Sequence, residues 1–289
     1  MSPWLLAARP RTLGAAVVPV AAGAALAFRG GAFDPVATAS SLACAVLIQI
    51  ATNYFNDAID HAKGADTAGR LGPARVTSSG LLPARRVVLG GVACVVAAVI
   101  LAIPLVLRGG WPILALGVVS LALAYAYTGG PFPLAYLGLG EIFVVLFFGL
   151  FAVAGTFYVN ALEISPAALL AGLQIGVHSS VLLAVNNLRD FEGDRAARKR
   201  TLAARFGLGF ARRENAALAL APFVLGLAWL PLGLPWAFVL PLASVPLAWR
   251  LARACLVATP DRAVNRLLAL AAALHAAFGL LLGAGALMP

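Results

Sequence analysis

Asn53, Asn56, Asp57 and Asp60 lie three or four residues apart in the string NYFNDAIDHAKGAD, and Asn186, Asp190 and Asp194 lie four apart in NNLRDFEGDRAARKRT. On a helix such positions share a face, so each string can present a row of oxygen donors. Six of the chain's eleven acidic residues (Asp57, Asp60, Asp66, Asp190, Glu192 and Asp194) fall inside these two strings, and Lys or Arg follows each set closely. Carboxylates converging from two such faces cannot all remain ionised without a compensating cation. Mg²⁺ suits oxygen-only donors and commonly bridges carboxylates to substrate phosphates. The strings therefore point to a divalent-metal and diphosphate site. Its expected ligands are Asn53, Asp57, Asp60, Asp190 and Asp194, with Asp66 returning toward them in a loop beyond Gly64 and Asn56 beside them in the chemistry. Glu192 has the opposite helical phase and is expected to face solvent or an Arg.

The cations around the acids divide by position. Lys63, Arg70, Arg75, Lys199 and Arg200 sit within or just after the strings and can grip diphosphate oxygens, Arg as a bidentate fork and Lys as a point charge. Arg11, in ARPRTL, is a further candidate, whereas Arg85, Arg86, Arg212 and Arg213 flank apolar runs and read as topology markers. The stretch YTGGPFPLAYLGLGE carries no Lys or Arg. Its Gly and Pro residues alone make it a tight turn. It also brings Tyr127 and Tyr136, whose faces can stabilise developing positive charge, and Glu141, which can equally cap a helix.

The elements that position these residues are membrane helices. The chain is 62% hydrophobic and 11% charged, against roughly a quarter charged in an ordinary soluble domain. A crossing needs about 20 mostly apolar residues, and nine runs fit: 13–28, 36–56, 87–107, 111–128, 139–160, 167–188, 215–232, 236–252 and 264–287. No linker divides them, so residues 1–289 read as one all-α integral membrane domain. Nineteen of the 21 Lys and Arg fall in alternate loops, only Arg29 and Arg108 lying in the others. The positive-inside rule then sets the N-terminus in the cytoplasm and the C-terminus outside. The Asn53/Asp57 and Asn186/Asp190 pairs end runs four spans apart, which predicts two tandem four-helix halves around a central cavity open to the cytoplasm.

Other classes are excluded or less favoured. The net charge of +10 sits in short loops flanking apolar spans, where topology and anionic lipid account for it before nucleic acid does. Residues 1–28 resemble a signal peptide, but eight further spans make an uncleaved first helix the better reading. Cys44, Cys94 and Cys255 lie in or beside apolar runs without C-x-x-C or Cys/His spacing, and His61, His178 and His275 are scattered, so a zinc or haem site is not expected. His178, within a span, needs a hydrogen-bond partner. The phenylalanines of the fifth span (Phe143, Phe147, Phe148, Phe151, Phe157) either pack against neighbours and lipid or wall a channel for a long apolar chain. A secondary transporter also carries repeats and intramembrane acids, but here the acids gather at one membrane face.

With these strings in view, the chain resembles the UbiA superfamily of membrane prenyltransferases, marked by Asn56-Asp57 with Asp60 and by Asp190 with Asp194. The blocks ARPRTLGAAVVPVAAG, NDAIDHAKGADT, VTSSGLL, YTGGPFPLAYLGLGE, FFGLFAVAGTFYV and NNLRDFEGDRAARKRTLAARFG, over about residues 8–207, look like the branch that acts on 1,4-dihydroxy-2-naphthoate in menaquinone synthesis. Where many members carry a further acid four residues after Asp60 this chain has Gly64, and Asp66 follows, as in that branch. The resemblance implies a nine-helix bundle in which two Mg²⁺ ions hold a polyprenyl diphosphate. It further implies an allylic cation captured by the aromatic acceptor with loss of CO₂, and Asn186 and Asn187 orienting metal ligands or acceptor. The acceptors 4-hydroxybenzoate, homogentisate and a chlorin are alternatives within the same fold.

Overall fold

The computed structural model describes residues 2–64, 71–72, 75–130, 133–197 and 199–289, and all regular structure in them is helical. In chain order the helices are α1 (Pro3–Ala8), α2 (Gly14–Arg29), α3 (Pro35–Ala62), α4 (Ala84–Ala126), α5 (Leu134–Leu137), α6 (Gly140–Ala161), α7 (Pro166–Arg189), α8 (Phe191–Ala196), α9 (Leu202–Phe206), α10 (Leu208–Leu225), α11 (Pro235–Leu256) and α12 (Val264–Leu287). Local chemistry sets their ends. At α3, Asp34 Oδ1 accepts the N–H groups of Val36 at 2.8 Å and Ala37 at 2.9 Å, and Pro35 follows at the first helical position, where its missing N–H costs nothing. α7 also has a proline, Pro166, at its first helical position, though the side chain of Ser165 before it makes no cap bond, and Gly138 leaves α5 with φ 74°.

Among the described residues six helices (α3, α4, α6, α7, α11 and α12) are long and apolar enough to cross a bilayer, and α2 is a shorter apolar helix. The 43-residue α4 is interrupted at Gly110, with φ 66° and ψ −150°. That conformation is open to glycine at little cost, and it falls where the sequence separates the run 87–107 from 111–128.

α7 is the most buried of the long helices and packs on both sides of the molecule. One apolar core gathers Ile175 of α7 with Val18, Val153, Trp229 and Phe278; the other gathers Val185 and Leu188 with Leu251 and Leu274. The outer surface is apolar too: Leu107, Trp111 and Val224 are exposed by 82%, 74% and 70%. Water would penalise such a surface, but hydrocarbon does not. His178 finds its partner in the Ala219 carbonyl, with Nε2 3.1 Å away. Among the described residues the three cysteines are free thiols, Cys44 and Cys255 buried.

Candidate functional site

The ends of α3 and α7 that carry the acidic strings flank one polar cavity of about 270 Å³. From α3 it is lined by Asn53, Asn56 and Asp60; from α7 and α8 by Asn186, Asn187, Arg189, Asp190 and Asp194; Arg75, Lys199, Tyr127, Tyr136 and Glu141 complete much of the wall. The two strings thus contribute to the wall of one cavity. Glu192 is exposed, as its phase requires.

Each cavity aspartate is met by a cation. Arg75 Nη2 lies 2.6 Å from Asp60 Oδ2, while Asp60 Oδ1 is buried with no hydrogen-bond partner among the described residues. Arg189 grips its neighbour Asp190 with two bonds, Nε to Oδ1 at 2.8 Å and Nη2 to Oδ2 at 2.6 Å, and is itself steadied by Asn265 Oδ1 at 2.9 Å. Lys199 Nζ is 3.5 Å from Asp194 Oδ1. Burial pushes the Asp194 carboxyl up to about 6, the Lys199 charge pulling the other way. Among the described residues no three His, Cys, Asp or Glu side chains gather closely enough to hold a metal ion by themselves. The donors nevertheless fit a hard cation: they are all oxygen, they come from both strings, and one is an orphaned carboxylate oxygen. Mg²⁺ ordinarily takes only one or two carboxylates and completes its shell with water and phosphate.

Asp57 sits differently. It is 1% exposed, and its carboxylate oxygens accept the backbone N–H groups of Val76 at 3.1 Å and Thr77 at 2.9 Å. It does not line the cavity; it holds the turn that delivers Arg75 to Asp60. The asparagines are tethered as well. Asn53 Nδ2 donates to the Ala8 carbonyl at 2.9 Å and to Thr12 Oγ1 at 3.2 Å, Asn56 Oδ1 accepts from Thr128 Oγ1 at 2.7 Å, and Asn186 Nδ2 donates to the Leu182 carbonyl at 2.7 Å. Asn187 Nδ2 reaches across to Glu141 Oε1 at 2.7 Å.

The remaining expected site residues scatter. Lys63 is exposed outside the cavity lining; its Nζ donates to the Thr128 carbonyl at 2.6 Å and lies 5.0 Å from the Tyr136 ring centre. Lys199 lies 5.0 Å from the same ring, so one aromatic ring joins a cation from each string. Arg200 is exposed, and only its backbone takes part, its N–H donating to the Tyr136 carbonyl at 3.1 Å. Asp66 and Arg70 lie outside the described residues, as does the Arg11 side chain. Two cavity cations escape the sequence reading: Arg9, held in the left-handed region at φ 53°, and Arg189. Both count as topology markers on charge alone. The available signals are the Arg9-Pro10 step and the adjacency of Arg189 to Asp190.

A second cavity, of about 500 Å³, is almost wholly apolar. It shares Ala15, Gln49, Thr52, Tyr127, Val144 and Phe148 with the polar one, so the two lie side by side against a common wall. Phe143, Phe147, Phe148 and Phe151 wall it, whereas Phe157 packs in the core. A molecule with a charged head and a long hydrocarbon tail matches this pair of spaces.

Comparison with known proteins agrees with that shape. Residues 16–278 match the family described as the UbiA prenyltransferase family. The chain is 36% identical over 227 residues to the 1,4-dihydroxy-2-naphthoate octaprenyltransferase of Escherichia coli (strain K12), covering 76% of this chain and 74% of that one. It is 37% identical over 249 residues to the enzyme of the same name from Mycobacterium tuberculosis (strain ATCC 25618 / H37Rv), covering 86% and 84%. Its fold is similar to the solved structure of a UbiA homologue from Archaeoglobus fulgidus bound to GPP and Mg²⁺, with a TM-score of 0.61, 15% identity and coverage of 97% and 99%.

Proposed function

The chain belongs to the UbiA prenyltransferase family, and on that premise we propose that it transfers a polyprenyl group from polyprenyl diphosphate to 1,4-dihydroxy-2-naphthoate, with decarboxylation, giving demethylmenaquinol in menaquinone synthesis. The observation that carries the reading is a polar cavity lined from both acidic strings that shares a wall with a larger apolar one. The names of the similar enzymes supply the acceptor.

Asn56 and Asp60 would hold one Mg²⁺ and Asn186, Asp190 and Asp194 a second, and the bound metal would supply the charge that neutralises the diphosphate and polarises its bond to the prenyl carbon. Arg75, Arg189 and Lys199 hold the acids in position and lend charge to the departing diphosphate, an interaction strongest as the C–O bond lengthens. Tyr127 and Tyr136 offer aromatic faces to the allylic cation. The phenylalanine wall keeps the tail dry and water away from the cation. In the bilayer, α2, the two arms of α4 and α10 count as crossings beside the other long helices, making nine. The N-terminus and the cavity mouth then face the cytoplasm and the C-terminus lies outside.

The test is a purified-enzyme assay offering 1,4-dihydroxy-2-naphthoate, 4-hydroxybenzoate and homogentisate with one prenyl diphosphate. The expected result is Mg²⁺-dependent use of the naphthoate, lowered at least ~10²-fold in Asp60→Asn, Asp190→Asn and Asp194→Asn by loss of charge stabilisation. Exclusive use of 4-hydroxybenzoate would overturn the acceptor, and normal turnover in any two variants the metal reading.

A further inference from the structure

Four carboxylates line the polar cavity among the described residues, and three of them hold a cation: Asp60 with Arg75, Asp190 with Arg189, and Asp194 with Lys199. Glu141 is the exception. Its bonded side-chain neighbour is the neutral amide of Asn187, 2.7 Å from Oε1. The residue is 7% exposed, so this carboxylate is withdrawn from bulk water without being neutralised. It stands on the cavity wall with Tyr127, Val144 and Phe148, which also line the apolar space. On the prenyl-transfer reading, the wall between the two cavities is where head and tail of the donor meet, and hence where a ring attacking the first prenyl carbon lies. Its backbone is fixed as well, since Ser180 Oγ donates to the Glu141 carbonyl at 3.1 Å. A carboxylate that only capped α6 would need neither the Asn187 bond nor a place on the wall.

We propose that Glu141 is the base that accepts the ring-hydroxyl proton of the aromatic acceptor, with Asn187 as the positioning residue that aims it. This rests on the prenyl-transfer reading above. As the hydroxyl proton passes to the Glu141 carboxylate, the O–H electron pair moves inward to form a carbonyl. The ring π pair then makes the new C–C bond to the first prenyl carbon. The C–O bond to diphosphate breaks, its pair leaving on the diphosphate. The ring carboxylate departs as CO₂, returning a pair to the ring, and the oxygen recovers its proton from Glu141. No proton is gained or lost overall. The base is thus regenerated in each turnover without exchange with bulk water.

The experiment compares wild type, Glu141→Gln and Asn187→Ala in proteoliposomes by three measurements: Mg²⁺-dependent binding of a non-hydrolysable prenyl diphosphate analogue, release of diphosphate without acceptor, and transfer to hydroxyaromatic acceptors of graded acidity. In Glu141→Gln, analogue binding and acceptor-free diphosphate release stay at wild-type levels while transfer falls ~10²- to 10⁴-fold, the usual span for a general base. The deficit shrinks as the acceptor hydroxyl becomes more acidic, because such a ring ionises with less help. Asn187→Ala shows the same trend with a smaller deficit, and decides the matter should Glu141→Gln fail to insert. Near-wild-type transfer, a deficit indifferent to acceptor acidity, or loss of analogue binding in parallel with transfer overturns the assignment. Failure of the wild type itself to prenylate any hydroxyaromatic overturns the underlying function instead.

Discussion

At the scale of single residues, Asp57 and Asp60 show how far spacing can be read. Both belong to a set of positions three and four apart, and the sequence treats them alike as ligands. The structure separates them: Asp60 opens on the cavity, while Asp57 bonds to Val76 and Thr77. Successive helical residues differ by about 100°, so the face shared by Asn56, Asp57 and Asp60 is broad. One edge of it, with Asn56 and Asp60, meets the cavity; the other, with Asp57, meets a turn arriving about twenty residues later. Spacing within the helix carries no information on where that turn docks. Asp57→Asn is accordingly expected to act on the fold first, since one of two buried N–H groups loses its charged acceptor, a cost of about 1–3 kcal/mol. The measurement is thermal inactivation in detergent beside Mg²⁺-dependent analogue binding. Lowered thermal resistance with Mg²⁺ affinity retained is the expected outcome, and retained resistance with Mg²⁺ affinity abolished would restore Asp57 to the ligand set.

At the scale of elements, apolar runs and their polar ends are legible in the sequence because hydrocarbon allows few alternatives to a helix. The break within α4 follows the interruption at Arg108-Gly109-Gly110 that separates two runs. What periodicity does not reveal is the π-helical turn Leu146–Leu150 inside α6. It occurs where the backbones of α6 and α7 lie against each other. A Cβ on Gly149 would stand 2.3 Å from the Gly172 carbonyl oxygen and 2.4 Å from Gly176 Cα. Gly172 and Gly176 form a small-xxx-small pair, the pattern that lets membrane helices approach backbone to backbone. The neighbours are backbone atoms, so no side chain can swing aside. Gly149→Ala should therefore push α6 from α7 and cost about 1–3 kcal/mol, as overpacking does. A lower midpoint of thermal aggregation in detergent measures it, and an unchanged midpoint would mean that the two helices do not meet so closely. Because α6 carries Glu141 and α7 carries Asn187 at their cavity ends, the same substitution should also reduce transfer.

At the scale of the whole molecule, the two basic residues that break the charge pattern have local reasons to do so. Arg29 donates to the Ala286 and Met288 carbonyls, tying the end of α2 to the end of α12. Arg108 donates to the Val159 and Asn160 carbonyls and lies 3.0 Å from Asp34, joining the α4 break to the end of α6 and the start of α3. Both are consumed in holding helix ends together at the end of the bundle away from the polar cavity, so neither weighs against the orientation proposed from the other nineteen Lys and Arg. That orientation makes a sharp prediction. Glu163 is exposed on the α6–α7 connection, beside the Arg108 cluster, and Gly193 is exposed in α8 at the cavity end, where an added side chain meets no atom within 4 Å. In a variant with Cys44, Cys94 and Cys255 replaced by Ser or Ala, single cysteines at these two positions should label oppositely with a membrane-impermeant maleimide on intact cells. Glu163→Cys should react at once, and Gly193→Cys only after permeabilisation. Reversed labelling would turn the cavity mouth to the outside, away from cytoplasmic prenyl diphosphate, and the proposed supply of donor from that side would fail with it.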